Sequence, residues 1–161
     1  MFNSLFPPSL PVLCRLDLTA DDILINTRGD VILADLELWM GASNQRYWLS
    51  PELIKPNPTP FGQEVDVWCL GCIIMEMAEG YPPYADLHPL KEIFYTATRG
   101  APPLTQPSKW TVELRNFLKC CFHPNPRKRS TVEQLMTEGW LQRACTKNEF
   151  MEFVRDRISS R

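Results

Sequence analysis

Two close pairs of cysteines have types and spacing that could bind a metal ion. Cys69 and Cys72 form a Cys-x-x-Cys pair, and Cys120 and Cys121 are adjacent. Cysteine thiolates at such spacing are zinc ligands in many proteins. All four residues fall inside segments whose patterns predict helices, however, where buried cysteines usually pack as small hydrophobic residues. We therefore expect packing at these positions, and no zinc site.

Neither histidine suggests a catalytic base. His88 and His123 each lie next to a proline in a predicted loop, and we assign neither of them a role. The six cysteines also do not indicate a disulfide framework, which would require a secretory context. Residues 1–13 are apolar and proline-rich but lack the basic start of a signal peptide. We expect a reducing, cytoplasmic location.

Length and charge restrict the classes of partner. The 161 residues favour one domain, and 44% hydrophobic with 22% charged residues is ordinary for a globular protein. A net charge of −2 gives no reason to expect a nucleic-acid partner or an anionic membrane surface. The sequence contains no run of about 18 apolar residues, which is the length expected of a membrane span.

The strongest structural pattern is a central helix over residues 63–79, where the cysteine pair Cys69 and Cys72 lies. This segment is apolar almost all round, which indicates a helix buried on every side. Gly80 ends it, and Pro82 and Pro83 follow.

Other segments predict a small hairpin and several shorter helices. The β-branched runs 23–25 and 31–34 flank a turn-forming segment, and residues 36–63 read as a long loop. Ser130 is a candidate N-cap, with Glu133 completing a capping box. The expected fold class is mainly α with a small β-hairpin. Its further helices are expected at about residues 89–98, 111–122, 131–140 and 147–158.

Five short motifs lie in order along the chain: residues 17–25, 31–37, 47–52 and 65–72, and Arg129. Together they resemble the C-terminal lobe of eukaryotic protein kinases. The segments 47–48, 76–80 and 82–84 are most similar to the sterile-twenty group and its p21-activated serine/threonine relatives. The resemblance divides the chain into an irregular proline-rich lead (1–13), a partial kinase domain (14–141) and a C-terminal helical tail (142–161). The motifs are the catalytic loop with its first strand (17–25), the second strand with the metal-binding motif (31–37), the end of the activation segment (47–52), the buried helix (65–72) and Arg129.

The resemblance implies a site for phosphoryl transfer. Asp17 matches the aspartate that orients the substrate hydroxyl, and Asp35 matches the metal-binding aspartate. Asp22 stands where the family has a second metal-binding residue, an asparagine, and a carboxylate can still ligate magnesium. If activity persists, ATP and Mg²⁺ are the implied cofactors.

Several departures from the family's pattern count against catalysis. Leu16 replaces the arginine that engages a phosphorylated activation loop. Thr19 replaces the lysine that neutralises the γ-phosphate, and electrostatic groups of this kind are typically worth about 2.7–4 kcal/mol. Leu36 and Glu37 replace Phe-Gly, so the conformational freedom of glycine is lost. The glycine-rich loop, its lysine and the paired glutamate are also missing from the sequence.

The resemblance also implies structural and binding roles. Glu52 and Arg129 are expected to form a buried ion pair, and Asp66 to hydrogen-bond the backbone of the catalytic loop. Glu79 matches a position that contacts basic residues of substrates, so recognition of basic peptides could outlive catalysis.

Three hypotheses follow. The first is a degenerate, catalytically inactive kinase domain that acts by binding proteins, with an active kinase or a scaffold as the expected partner. The second is a serine/threonine kinase whose N-terminal lobe lies outside this chain; Leu16, Thr19 and Glu37 argue against it. The third is a fragment that does not fold independently, which cooperative unfolding would exclude.

Overall fold

The computed structural model describes residues 18–34, 46–55 and 62–159. As expected, these residues are mainly helical and include a small antiparallel hairpin. No helix among them is long and apolar enough to cross a membrane. The elements are β1 (Ile23–Ile25), β2 (Val31–Leu33), α1 (Pro51–Ile54), α2 (Gln63–Glu79), α3 (Pro89–Arg99), α4 (Val112–Cys121), α5 (Val132–Leu135) and α6 (Lys147–Ser159).

Helix α2 is the central element, as its apolar pattern predicts. Nine of its 17 residues are buried, and both cysteines of the Cys-x-x-Cys pair are among them. Gly80 ends the helix in the left-handed conformation (φ 85°), and its N–H donates to the Glu76 carbonyl at 2.8 Å. Only glycine adopts this conformation without strain, which explains why the helix ends here.

Helices α2 and α4 pack closely because α2 carries a glycine at their contact. A Cβ placed on Gly71 would lie 2.8 Å from Cys121 Cβ and 2.9 Å from the Phe122 ring. The Phe122 ring also meets Trp68 edge-on, with ring centroids 5.0 Å apart. The main core is therefore built on this helix pair. Its buried members are Val67, Ile74, Met75, Leu104, Leu114, Phe117, Leu118, Cys121 and Leu135.

The hairpin forms in the expected place, with Ile23 opposite Leu33 and Ile25 opposite Val31. The Asn26 side-chain oxygen organises the turn by accepting hydrogen bonds from the N–H groups of Arg28 (2.9 Å) and Asp30 (3.0 Å). Such local bonds from asparagine are typical of turns.

The tail forms helix α6, which contacts the hairpin turn. Lys147 forms an ion pair with Asp30, and a Cβ on Gly29 would lie 3.2 Å from Met151 Cβ. Hydrogen bonding from Lys147 and Asn26 lowers the pKa of Asp30 to about 2. Helix α6 of the tail therefore packs against the part of the chain that resembles a kinase.

Two local predictions are wrong. The capping box lies one residue later than expected, because Thr131 and Gln134 exchange the two hydrogen bonds (3.3 and 2.9 Å), and the helix ends at Leu135. Residues 36–45 and 56–61 of the long loop predicted over 36–63 lie outside the described residues. Its described part contains the helix α1, which begins at a proline, and a 3₁₀ turn before it. Both errors concern short elements, whose ends are difficult to place from the local sequence alone.

Candidate functional site

The catalytic-loop segment contains a buried pair of polar residues. Thr19 is the N-cap, and Asp22 the last residue, of the short 3₁₀ turn that leads into β1. One Asp22 carboxylate oxygen accepts hydrogen bonds from the Thr19 N–H (2.7 Å) and the Thr19 hydroxyl (2.9 Å). Both residues are buried, at 3% and 7% exposed. By the resemblance to kinases, Thr19 stands where the family has the catalytic-loop lysine, and it binds Asp22, which stands where the family has the metal-binding asparagine.

This pair also connects the catalytic loop to the second strand. The Asp22 carbonyl accepts a hydrogen bond from the Ala34 N–H at 2.8 Å, directly after β2. Asp17 and Asp35, the other two predicted acidic site residues, lie outside the described residues. Of the three, the structure places Asp22 alone.

The role of Asp22 as a metal ligand stays a prediction. One of its oxygens accepts two hydrogen bonds, and carboxylates that ligate metal ions are commonly hydrogen-bonded as well. Within residues 18–34, 46–55 and 62–159, no three His, Cys, Asp or Glu side chains come together as a metal site would require. The threonine at position 19 also supplies no positive charge for a phosphate.

Glu52 and Arg129 form a buried, bidentate ion pair. The two terminal nitrogens of Arg129 donate to the two carboxylate oxygens at 2.7 and 3.0 Å, and each residue is 4% exposed. The guanidinium also donates to the carbonyls of His123 and Glu64. Such geometry satisfies most donors of the arginine and offsets the cost of burying its charge. The pair connects α1, the start of α2 and the segment after α4.

Asp66 and Glu79 occupy opposite ends of α2. Asp66 is half-buried in the first turn, where a negative charge complements the helix dipole. Its expected hydrogen bond to the backbone of the catalytic loop stays a prediction. The Glu79 carboxylate accepts hydrogen bonds from the N–H (3.1 Å) and the hydroxyl of Thr105.

A third carboxylate on α2, that of Glu76, was not singled out by the sequence. Its Oε2 atom is buried without a hydrogen-bond partner. Burial raises the pKa of Glu76, the Trp48 indole partly opposes this shift, and the charge of Asp21 adds to it. The indole and the carboxylate lie near each other, but their geometry falls short of a hydrogen bond. The sequence contains one signal for Glu76, which is its position as an acidic residue between two methionines in the apolar part of α2.

Glu76 lies on the side of α2 that faces the end of the activation segment. Cys69, about two turns earlier on the helix, donates from its thiol to the Trp48 carbonyl at 3.4 Å. Asp21 belongs to the catalytic-loop turn and is exposed. The catalytic-loop turn, the activation-segment end and α2 therefore together form an acidic corner, defined by Asp21, Trp48 and Glu76.

Three of the described cysteines, Cys69, Cys72 and Cys121, are buried, whereas Cys120 is partly exposed and Cys145 is exposed. Burial raises the pKa of Cys121 to about 12 and also raises that of Cys72.

Comparison with known proteins identifies a family. The model of the protein kinase domain matches residues 13–141. The serine/threonine-protein kinase pakA of Dictyostelium discoideum is 37% identical over 148 residues, which are 86% of this chain and 12% of that protein. The pakC kinase of the same organism is 33% identical over 86% of this chain and 31% of its own length. The kinase CLA4 of Saccharomyces cerevisiae is 32% identical over 80% of this chain and 16% of its own length.

Proposed function

The chain belongs to the protein kinase domain family, and from that premise we propose that it is a non-catalytic kinase fold that acts by binding proteins. The resemblance to sterile-twenty and p21-activated serine/threonine kinases is confirmed by the relatives found. The chain spans less than a third of the length of the three relatives described above, so their whole activity does not transfer to it.

The observation that carries this proposal is the Thr19–Asp22 pair. Phosphoryl transfer needs positive charge at the γ-phosphate and oxygen ligands around magnesium. At these two positions the chain has an uncharged hydroxyl and a carboxylate, and they bind each other at 2.9 Å. The pair therefore favours a stable loop over a site ready for phosphate.

The acidic corner supports a binding role. A buried carboxylate oxygen without a partner costs free energy, and a cationic donor would remove that cost. Glu76 has such an oxygen, and Asp21 adds a second negative charge nearby. Glu79 is the weaker candidate, since Thr105 already occupies its carboxylate. We propose that the acidic corner binds an arginine or lysine side chain of a partner protein.

Titration with a fluorescent arginine-rich peptide tests this binding role, with a neutral peptide of equal length as reference. Glu76→Gln should weaken binding about ten- to a hundredfold, the range expected for a charge-assisted hydrogen bond. Glu152→Gln, on the exposed face of α6, is the matched control and should bind as wild type does. Equal binding by Glu76→Gln and wild type would contradict the assignment.

A second candidate function is ATP-dependent phosphorylation of serine or threonine, with the ATP-binding lobe supplied by another chain or segment. The retained Asp17 and Asp35 favour it, and so does the buried Glu52–Arg129 pair, which preserves the family's architecture. Transfer of labelled phosphate to a basic peptide would support this candidate, provided that Asp17→Asn abolishes it.

A further inference from the structure

A mostly apolar cavity lies beside the helix pair α2 and α4. It has a volume of about 520 Å³ and lies between α2, residues 101–107 and α4. This volume is within the range of small-molecule sites in proteins. Its apolar lining includes Met75, Pro102, Leu104, Val112, Leu118 and Phe122.

Two cations border this cavity. Arg115 and Lys119 lie one turn apart on α4 and both line the cavity. The Arg115 Nε atom is buried and has no hydrogen-bond partner. Neither side chain forms an ion pair with another residue in the described part of the chain. Like charges four residues apart on a helix repel each other, so a bound anion would remove an unfavourable interaction.

Two acidic residues on the adjoining elements are already occupied and do not supply this anion. Glu113, on α4, forms an ion pair with Arg143 at 3.2 Å. Glu79, at the end of α2, is held by Thr105 beside the cavity residue Leu104. An anion between Arg115 and Lys119 would therefore have to come from a ligand.

We propose that the cavity binds an aliphatic carboxylate of the fatty-acid class. The apolar chain would lie against Met75, Leu104 and Phe122, and the carboxylate would accept hydrogen bonds from Arg115 and Lys119. Arginine is suited to this role because its fork of N–H donors matches a carboxylate. A purely apolar ligand would leave the buried Nε unsatisfied, and a small inorganic anion would leave the apolar lining in water.

The proposal is independent of the proposed function. No residue of the acidic corner and neither member of the Thr19–Asp22 pair lines the cavity. Loss of peptide binding at Glu76 would therefore leave fatty-acid binding unchanged, and each proposal can fail without the other.

Calorimetric titration of the purified chain with dodecanoate, below its micelle concentration, tests the site. We expect saturable binding of one molecule, with decanoate and octanoate progressively weaker by about fourfold for each buried methylene lost. Dodecanol has the same chain without the charge and should bind at least tenfold more weakly than dodecanoate. Absence of saturation, or equal affinity for dodecanol, would overturn the proposal.

Charge-removing variants locate the site. Lys119→Gln and Arg115→Gln should each weaken dodecanoate binding about tenfold or more, whereas Lys128→Gln, an exposed lysine outside the lining, should not. Lys119 is exposed, so its variant should fold even if replacement of the half-buried Arg115 does not. Circular dichroism and the unfolding midpoint establish that each variant is folded. Wild-type affinity in a folded Lys119→Gln variant would also overturn the proposal.

Discussion

Arg129 holds both carboxylate oxygens of Glu52, at 2.7 and 3.0 Å, although the two residues are 77 positions apart in the sequence. The pair joins a short helix after the activation segment to a segment near the end of the matched domain. The contribution of the pair to the free energy of unfolding depends on both partners, because either charge left alone in this buried position would be unpaired.

Replacing Arg129 with methionine should lower the free energy of unfolding by about 3–5 kcal/mol, because the buried Glu52 charge loses its partner. Urea denaturation measures the change. The matched control is Arg143→Met, which breaks the exposed pair with Glu113 and should cost about 0–1 kcal/mol. Similar costs for the two variants would mean that the buried pair has no special structural role.

Thr19→Val keeps the shape of the side chain but removes the hydroxyl that donates to Asp22. Hydrogen bonds to charged groups typically contribute about 1.5–3 kcal/mol, so a loss of that size is expected in urea denaturation. Thr98→Val is the control, since its hydroxyl bonds a carbonyl within an exposed helical turn. A neutral effect of Thr19→Val would show that the hydroxyl does not stabilise the loop.

Gly71→Ala should destabilise the protein although alanine favours helices. The added methyl group would lie 2.8 Å from Cys121 Cβ, and overpacking of this kind typically costs about 1–3 kcal/mol. At Gly139 nothing lies within 4 Å of an added Cβ, so Gly139→Ala should stay within about 0.5 kcal/mol of wild type. A higher thermal midpoint for Gly71→Ala would contradict the close α2–α4 contact.

Glu76→Gln should stabilise the protein at pH 7 but not at pH 4. Burial raises the pKa of Glu76, so the ionised form is less favourable in the folded state than in the unfolded state. Glutamine removes this cost where the wild-type carboxylate is ionised. At pH 4, below the unfolded value of 4.5, the wild-type carboxyl is mostly protonated in both states, and the difference should nearly vanish. Thermal midpoints at the two pH values test this, and a midpoint lowered at pH 7 would contradict it.

The sequence predicted the parts of the fold that depend on long or strong local patterns. Helix α2 followed from its apolar run and from Gly80, and the hairpin followed from two β-branched runs around a turn. Helix α5 covers only residues 132–135, where the pattern suggested residues 131–140. The neighbouring hydroxyls of Ser130 and Thr131 both fit an N-cap, and the structure uses Thr131.

The candidate site depended on contacts that a local pattern does not contain. The Glu52–Arg129 pairing was expected only from the resemblance to kinases, since nothing in the spacing of the two residues predicts it. The position of Glu76 beside Trp48 follows from the folded backbone. The contact between Thr19 and Asp22, in contrast, is a capping box whose Thr-x-x-Asp spacing is visible in the sequence.

The most direct test of the central claim is the thermal unfolding of the purified chain with and without ATP and Mg²⁺. A ligand at a hundred times its dissociation constant adds about 2.7 kcal/mol, which would raise the midpoint by about 5–10 °C. We predict a single sharp transition whose midpoint ATP and Mg²⁺ do not change. A clear rise in the midpoint that Asp35→Asn abolishes would contradict the account, because it would demonstrate a working nucleotide and metal site.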